Sequence, residues 1–113
     1  MEIITTLTNY PNQRHELVLE NRESANFHLY YRARVMSWYF DIEYKNTIIN
    51  GVKIVLSPNL LRQFRKNLPF GLAFYSESVV EPFDLEDFKS GRIKMAILNQ
   101  DEVEQVEREV YNR

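Results

Sequence analysis

The sequence predicts a mainly β domain, a small antiparallel β-barrel or sandwich with one short internal helix and a C-terminal helix. Apolar and polar residues alternate with period two in several short segments, which is typical of half-buried strands. Short polar turns separate these segments and favour antiparallel pairing. After Ser57 and after Asn99 the apolar residues change to helical spacing. The 113 residues are the size of one domain with its own core.

Four strands are expected in the first 44 residues. Alternation over residues 3–7, 15–20 and 27–31 indicates three of them, with a turn at Tyr10-Pro11-Asn12. In the fourth, over residues 36–44, the even-numbered residues are largely aromatic or aliphatic and the odd-numbered residues are largely polar. The first set is Met36, Trp38, Phe40, Ile42 and Tyr44, and the second is Ser37, Tyr39, Asp41 and Glu43. The first set should face the core and the second should face outward.

Turn and cap residues organise the middle of the chain. Lys45-Asn46 is expected to form a turn, and Asn50-Gly51 predicts a hairpin because both residues accept a positive φ. Ser57 followed by Pro58 resembles an N-cap and a first helical residue, and predicts a short helix that ends before Pro69. Strands are expected over residues 52–56, 70–75 and 92–98. Residues 81–91 are expected to form a loop or a single helical turn anchored by Phe83, Leu85 and Phe88, in which Asp84, Glu86 and Asp87 make a solvated acidic loop.

The predicted domain organisation is a single β domain at residues 1–99 and a charged helical tail at residues 100–113. Asn99 and Glu102 have the spacing of a capping box. Val103, Val106 and Val110 form one narrow apolar stripe. A helix this short and this charged is marginal alone, so we expect the tail to dock against a neighbouring subunit.

Composition narrows the functional classes. The net charge of −2 lacks the overall basic field typical of nucleic-acid-binding proteins. The absence of cysteine excludes disulfides, zinc–thiolate sites and a cysteine nucleophile. No signal peptide, membrane span or phosphate-binding glycine loop is recognisable, so we expect no membrane partner and no secretion.

Candidate catalytic residues are few. His15 and His28 are expected to be surface or rim histidines. Asp41 and Glu43 share one strand face and could bind a cation or act as acid and base, but outward strand faces commonly carry such residues. The acidic run from Asp84 to Asp87 lacks the order of a calcium loop. The sequence therefore predicts no catalytic residue, no cofactor and no metal.

Two interpretations remain for the outward-facing aromatic and basic residues. Basic and aromatic side chains interleave between Arg22 and Arg34, as in an OB-like module that binds single-stranded nucleic acid or carbohydrate. Acidic residues on neighbouring strands would cancel that field, and tyrosine and arginine are enriched at protein interfaces. We therefore favour a protein interface. Its candidate residues are Tyr30, Arg32, Arg34, Tyr39, Asp41, Val103, Val106 and Val110.

Three segments carry a family resemblance. They are Phe27-His28-Leu29-Tyr30-Tyr31, Trp38-Tyr39-Phe40-Asp41-Ile42 and Leu68-Pro69-Phe70-Gly71-Leu72. In this order, with Asn50-Gly51 and Leu60-Leu61 between them, they resemble the small baseplate plug proteins of contractile-tailed bacteriophages. The resemblance covers roughly residues 5–98. The structural core is expected to include Leu29, Trp38, Phe40, Ile42, Gly51, Leu61, Pro69 and Gly71.

The resemblance implies a structural role without catalysis. A member of this family is made in the host cytoplasm and built into the virion, in the tail baseplate near the lower end of the tail tube. The implied partners are hub, tail tube and spike proteins, together with symmetry-related copies of the chain itself. Direct readout of nucleic acid is not expected.

Overall fold

The computed structural model describes residues 1–111 as two antiparallel β-sheets that share one core. The strands are β1 (Glu2–Ile4), β2 (Asn12–Val18), β3 (Ser24–Arg32), β4 (Ser37–Tyr44), β5 (Thr47–Lys53), β6 (Gly71–Tyr75) and β7 (Lys94–Leu98). A 3-10 turn (Arg62–Phe64) precedes β6, and helix α1 (Gln100–Val106) follows β7 and continues as a π-helical segment (Glu107–Tyr111). Residues 112–113 of the predicted tail lie outside the described residues.

The two sheets stay open rather than closing into a barrel. One has the order β2-β3-β4-β5, in which consecutive strands pair, and the other has the order β1-β7-β6. The predicted mainly β fold is therefore confirmed, in its sandwich form. Within residues 1–111, no helix has the length and apolar character needed to cross a bilayer.

Alternate side chains of both sheets fill the core. Trp38, Phe40 and Ile42 of β4 are at most 1% exposed. Phe40 meets Phe74 of β6, with ring centroids 6.1 Å apart. Complete burial of a large apolar side chain contributes about 1.5–3 kcal/mol, so this row is a major source of stability. Of the other expected core residues, Leu29, Leu61 and Gly71 are buried and Pro69 is half-buried.

Met36 is an exception to the predicted alternation. It lies in the turn between β3 and β4 with φ of +49°, and its side chain is exposed. The turn is closed by two hydrogen bonds, from Val35 N–H to the carbonyl of Arg32 and from Met36 N–H to that of Ala33. The inward row of β4 therefore starts at Trp38, and the expectation that Met36 faces the core is wrong.

Gly51 is not a core residue and does not form a hairpin. Strand β5 continues past Asn50-Gly51 without a chain reversal, because the turn at Lys45-Asn46 already connects β5 to β4. Phe40 pairs with Val52 and Ile42 pairs with Ile49, so Asn50 and Gly51 together oppose Asp41 in a β-bulge. Gly51 is exposed and has φ of +70°. The hairpin expected at Asn50-Gly51 is therefore wrong, and the positive φ of Gly51 belongs to the bulge.

Replacing Gly51 by alanine is expected to lower the free energy of unfolding by about 1 kcal/mol, because a β-carbon is unfavourable at positive φ. A β-carbon there would meet no heavy atom within 4 Å, so the cost is conformational. Urea denaturation measures it. The exposed neighbour variant Asn50→Ala is the control and should stay within about 0.5 kcal/mol of wild type. An equal loss in both variants would contradict the assignment to Gly51.

The predicted internal helix is reduced to the 3-10 turn at Arg62–Phe64. Ser57 exchanges backbone hydrogen bonds with Phe74, at 2.9 and 3.0 Å, and so acts as an extra bridge of β6. The Oδ1 atom of buried Asn59 accepts from the N–H groups of Leu61 and Leu72. A β-carbon on Gly71 would lie 2.6 Å from that oxygen, so glycine permits this contact. These tertiary hydrogen bonds hold Ser57 and Asn59 against β6, and the residues that follow form short turns instead of the predicted helix.

The loop between β6 and β7 covers one end of the core. The indole N–H of Trp38 donates to the carbonyl of Asp84 at 3.0 Å, and the rings of Trp38 and Phe88 form a T-shaped pair with centroids 5.2 Å apart. Asp87 is buried and forms a two-point ion pair with Arg92, at 2.7 and 2.8 Å. The expectation of a solvated acidic loop is therefore wrong for Asp87.

Helix α1 covers the outer side of the three-stranded sheet. The predicted capping box is present, since Asn99 and Glu102 each accept from the other's backbone N–H. Val103 packs against Ala73, Ala96 and Leu98 and is only 2% exposed. This burial within its own chain removes Val103 from the candidate interface.

Replacing Val103 by alanine is expected to cost about 2 kcal/mol of unfolding free energy, since two buried methyl groups are lost and a small cavity remains. The matched control is Val110→Ala on the exposed turn that follows α1. It should change stability by less than about 0.5 kcal/mol. Thermal and urea unfolding of both variants test the pair, and similar losses would contradict the packing of Val103.

Candidate protein interface

The outward-facing residues of β2 to β5 form one continuous surface, which we call the outer sheet face. Its residues are Asn12, Arg14, Glu16, Val18, Ser24, Asn26, His28, Tyr30, Arg32, Tyr39, Asp41, Glu43, Ile48, Asn50 and Lys53. The antiparallel register aligns them in rows across the strands. Side chains that face each other in such rows lie about 4.5–5.5 Å apart at their β-carbons, so each row is a contiguous strip.

One end of the outer sheet face carries Tyr30, Arg32 and Tyr39, here called the arginine–tyrosine cluster. The two tyrosine rings stack at 6.0 Å with an interplanar angle of 17°. The guanidinium carbon of Arg32 lies 4.8 Å from the ring centroid of Tyr39 and 5.5 Å from that of Tyr30. No ion pair joins Arg32 to a carboxylate within residues 1–111. The rings therefore orient an exposed cation without neutralising it.

Asp41 connects three strands beside this cluster. Its Oδ1 atom accepts from the Tyr30 hydroxyl at 3.0 Å and from Gly51 N–H at 2.7 Å, and Oδ2 lies 3.4 Å from His28 Nδ1. Partial burial alone would raise the pKa of Asp41, but these donors outweigh it and hold the pKa below its ordinary value. Burial, followed by the neighbouring carboxylate, raises the pKa of Tyr30. Asp41 is therefore a fixed anion at neutral pH.

A shallow hollow of about 420 Å³, here called the acidic hollow, lies farther along the same face. Its outward-facing lining residues are Arg14, Glu16, Asn26, His28, Asp41, Glu43, Ile48 and Asn50. Three carboxylates outnumber the single arginine, so the hollow is negative even if His28 is charged. Ile48 is 61% exposed and gives the hollow an apolar edge. One sheet face thus combines an exposed cationic cluster with a negative depression.

The predicted interface residues do not all meet. Tyr30, Arg32, Tyr39 and Asp41 are neighbours on the outer sheet face, and Arg34 is exposed in the adjoining turn. Val106 and Val110 belong to the helical segment whose α1 portion covers the opposite sheet. Sequence reasoning placed Glu43 on the same face as Tyr39 but gave an interface role to none of Glu16, Glu43 and Lys53. The register brings Lys53 beside Tyr39 and places Glu16 and Glu43 on either side of Asn26, farther along the face.

Other parts of the molecule show fewer features of a functional site. Within residues 1–111, no group of three or more histidine or acidic side chains could hold a metal ion. His15 points inward to Gln13, at 2.7 Å, and burial lowers the pKa of this histidine. A cleft of about 660 Å³ at one end of the sandwich is lined in part by Leu19, Phe70 and Ile97, and contains no predicted site residue except Pro69.

A comparison with known protein families identifies the family of this β-sandwich. Residues 1–100 match the family model described as cyanophage baseplate Pam3 plug gp18. The chain belongs to this family. Its resemblance to baseplate plug proteins is thereby confirmed, and the chain is a structural protein of the phage virion, located in the tail baseplate. No curated protein is significantly similar to the chain.

The match with the plug family includes all seven strands and ends at the first residue of α1. The outer sheet face lies wholly within the matched region. Most of the C-terminal helical segment lies beyond it. The outer sheet face is therefore the part of the predicted interface that belongs to the family domain.

Proposed function

We propose that the chain is a plug-type component near the hub and the lower end of the tail tube, where it acts through protein–protein contacts during virion assembly. Family membership supports the baseplate setting. The arginine–tyrosine cluster carries the proposed mode of action, because tyrosine and arginine supply much of the binding energy at protein interfaces. The proposed partners are hub, tube and spike proteins and symmetry-related copies of the chain.

A structural role also fits the state of the carboxylates. A general acid or base works best when its pKa lies near the operating pH. The hydrogen bonds to Asp41 lower its pKa, away from neutral pH, although burial alone would raise it. Glu43, the other candidate, is exposed and lies 3.4 Å from the side-chain amide of Asn26. We therefore propose that neither residue performs catalysis.

Assembly of phage tails tests this function. A phage that encodes Arg32→Ala together with Tyr39→Ala should incorporate less of the protein into purified tails, because the cluster is removed while the core is intact. Lys66→Ala, in an exposed loop elsewhere, is the control. Quantitative immunoblotting of tails and thermal unfolding of the isolated variants are the measurements. Absence of the wild-type protein from purified virions would reject the proposed role.

The second candidate is an OB-like module that binds single-stranded nucleic acid or carbohydrate. The stacked rings of Tyr30 and Tyr39 beneath Arg32 favour it, since such platforms bind bases. The negative hollow on the same face opposes a polyanion. We therefore expect no binding of a single-stranded oligonucleotide at low salt. Binding that weakens steeply as salt is added would favour the second candidate over protein contacts.

The division into a body at residues 1–99 and a tail at residues 100–113 remains a proposal. Deleting residues 101–113 should leave a folded but less stable β-sandwich, since α1 covers Ala96 and Leu98 but not the main core. We also expect weaker assembly. Circular dichroism of the truncated chain tests the first point, and a failure to fold would place the helix within the domain.

A further inference from the structure

We propose that the outer sheet face binds the same face of a second copy of this chain across a two-fold axis. In this arrangement the arginine–tyrosine cluster of each copy enters the acidic hollow of the other. The inference deepens the proposed structural role and rests on it for its setting in the baseplate. The pairing itself can be measured on the isolated protein.

The charges on this face are segregated along the strands. Arg32 and Arg34 lie at the end near the β3–β4 turn, and Lys53 pairs with Tyr39 at the same end. Glu16 and Glu43 flank Asn26 in a row farther along. Tyr30 lies four positions after Asn26 on β3, which corresponds to about 14 Å. The face therefore has a positive end and a negative end.

A two-fold axis that lies between the two faces and runs across the strands, near their middle, brings opposite ends together. In an isologous contact, any pairing of two surface sites occurs twice. With the axis near Leu29, the cationic end of one copy faces the row of Glu16, Asn26 and Glu43 of the other, and the reverse holds equally. The exposed side chain of Ile48 provides an apolar contact at that row, and exposed Val18 lies in the next row, beside Ser24. The charges of the two copies are thus complementary in one arrangement.

A second copy of the chain presents the opposite charge to both ends of the face at once. An acidic partner would engage the cluster and be repelled by the hollow, and a basic partner would do the reverse. The four strands cover an area of roughly 19 by 24 Å, or roughly 450 Å² per copy, from the standard strand spacing and rise. Stable complexes bury about 800 Å² per partner. We therefore expect a weak, concentration-dependent dimer that forms where copies are held close together.

Charge exchange tests the pairing. Sedimentation velocity of the wild type should show a reversible monomer–dimer equilibrium as the concentration rises to about 1 mM, the weak end of specific association. Arg32→Glu and Glu43→Arg should each weaken the dimer about a hundredfold, because like charges meet at two equivalent contacts. The double variant restores opposite charges and should return to within about tenfold of wild type. Lys66→Glu, an equal charge change elsewhere, should have no effect.

The outcomes separate the alternatives. A wild type that stays monomeric at the highest concentration overturns the proposal, and so does growth into open-ended oligomers. If Arg32→Glu weakens association but Glu43→Arg does not, and the double variant is not restored, the cluster binds another site. Thermal unfolding verifies that each variant is folded. A monomeric protein that is still present in purified tails would overturn the pairing and leave the proposed function intact.

Discussion

Replacing Trp38 by alanine is expected to lower the free energy of unfolding by about 3–5 kcal/mol, the range for truncating a large buried aromatic residue. Trp38 is fully buried, and its ring meets Tyr31 and Phe88 at centroid distances of 5.1 and 5.2 Å. Its indole N–H also donates to the carbonyl of Asp84 at 3.0 Å. The substitution leaves a cavity and also releases the loop between β6 and β7.

Urea denaturation of two variants separates these effects. Trp38→Phe retains most of the apolar ring but loses the hydrogen bond, so its loss should be clearly smaller than that of Trp38→Ala. Tyr39→Ala is the control on the next residue of β4, because its ring faces outward. We expect Tyr39→Ala to cost less than about 1.5 kcal/mol, its stacking contribution included. A near-neutral Trp38→Ala variant that fails to assemble would instead mean that Trp38 faces a partner.

Replacing Asp87 by asparagine should cost about 3 kcal/mol, because it leaves the partly buried Arg92 without its counter-charge. Both carboxylate oxygens are engaged by Arg92, and Oδ2 also accepts from the N–H groups of Phe83 and Asp84. The control is Asp84→Asn, an exposed carboxylate of the same loop, which should change stability by less than about 0.5 kcal/mol. Comparable losses in both variants would contradict a specific role for the buried pair.

The same ion pair should make stability depend on pH. Burial alone would raise the pKa of Asp87, but Arg92 and the two backbone donors outweigh it and lower the pKa. The stabilisation is therefore complete above the unfolded value of about 3.9 and disappears as pH falls through the lower folded value. The difference in stability between wild type and Asp87→Asn should be constant from about pH 7 to pH 5 and narrow below about pH 4. A difference that narrows near neutral pH would point to another group.

Local signals predicted the elements that depend on local interactions. The alternation of β4 and the capping box of Asn99 and Glu102 involve contacts within one strand or one helical turn. The Asn50-Gly51 signal predicts a hairpin, which is wrong, although Gly51 does have a positive φ. Its use in a bulge depends on the position of Asp41 in the partner strand, which the local sequence does not encode.

Long-range contacts explain what the sequence could not provide. Ser57 has N-cap chemistry, but its backbone bonds to Phe74 and prevents the predicted helix. Asp87 looks like one member of an exposed acidic run until Arg92 is brought against it by the fold of the loop. Likewise, the alternation within β4 predicts that Tyr39 and Asp41 share one face. The carboxylate of Glu16 joins that face from β2, and its position follows only from the register between the strands.

The order β1-β7-β6 has a consequence for folding during synthesis. Each strand of the four-stranded sheet pairs with its neighbour in sequence, so that sheet can form while the chain is still being made. Strand β1 can pair only after β7 has been synthesised, since Ile3 pairs with Ala96. Until β7 leaves the ribosome, the apolar side of the first sheet has no complete cover. We expect this interval to be the time when the nascent chain is most prone to aggregation.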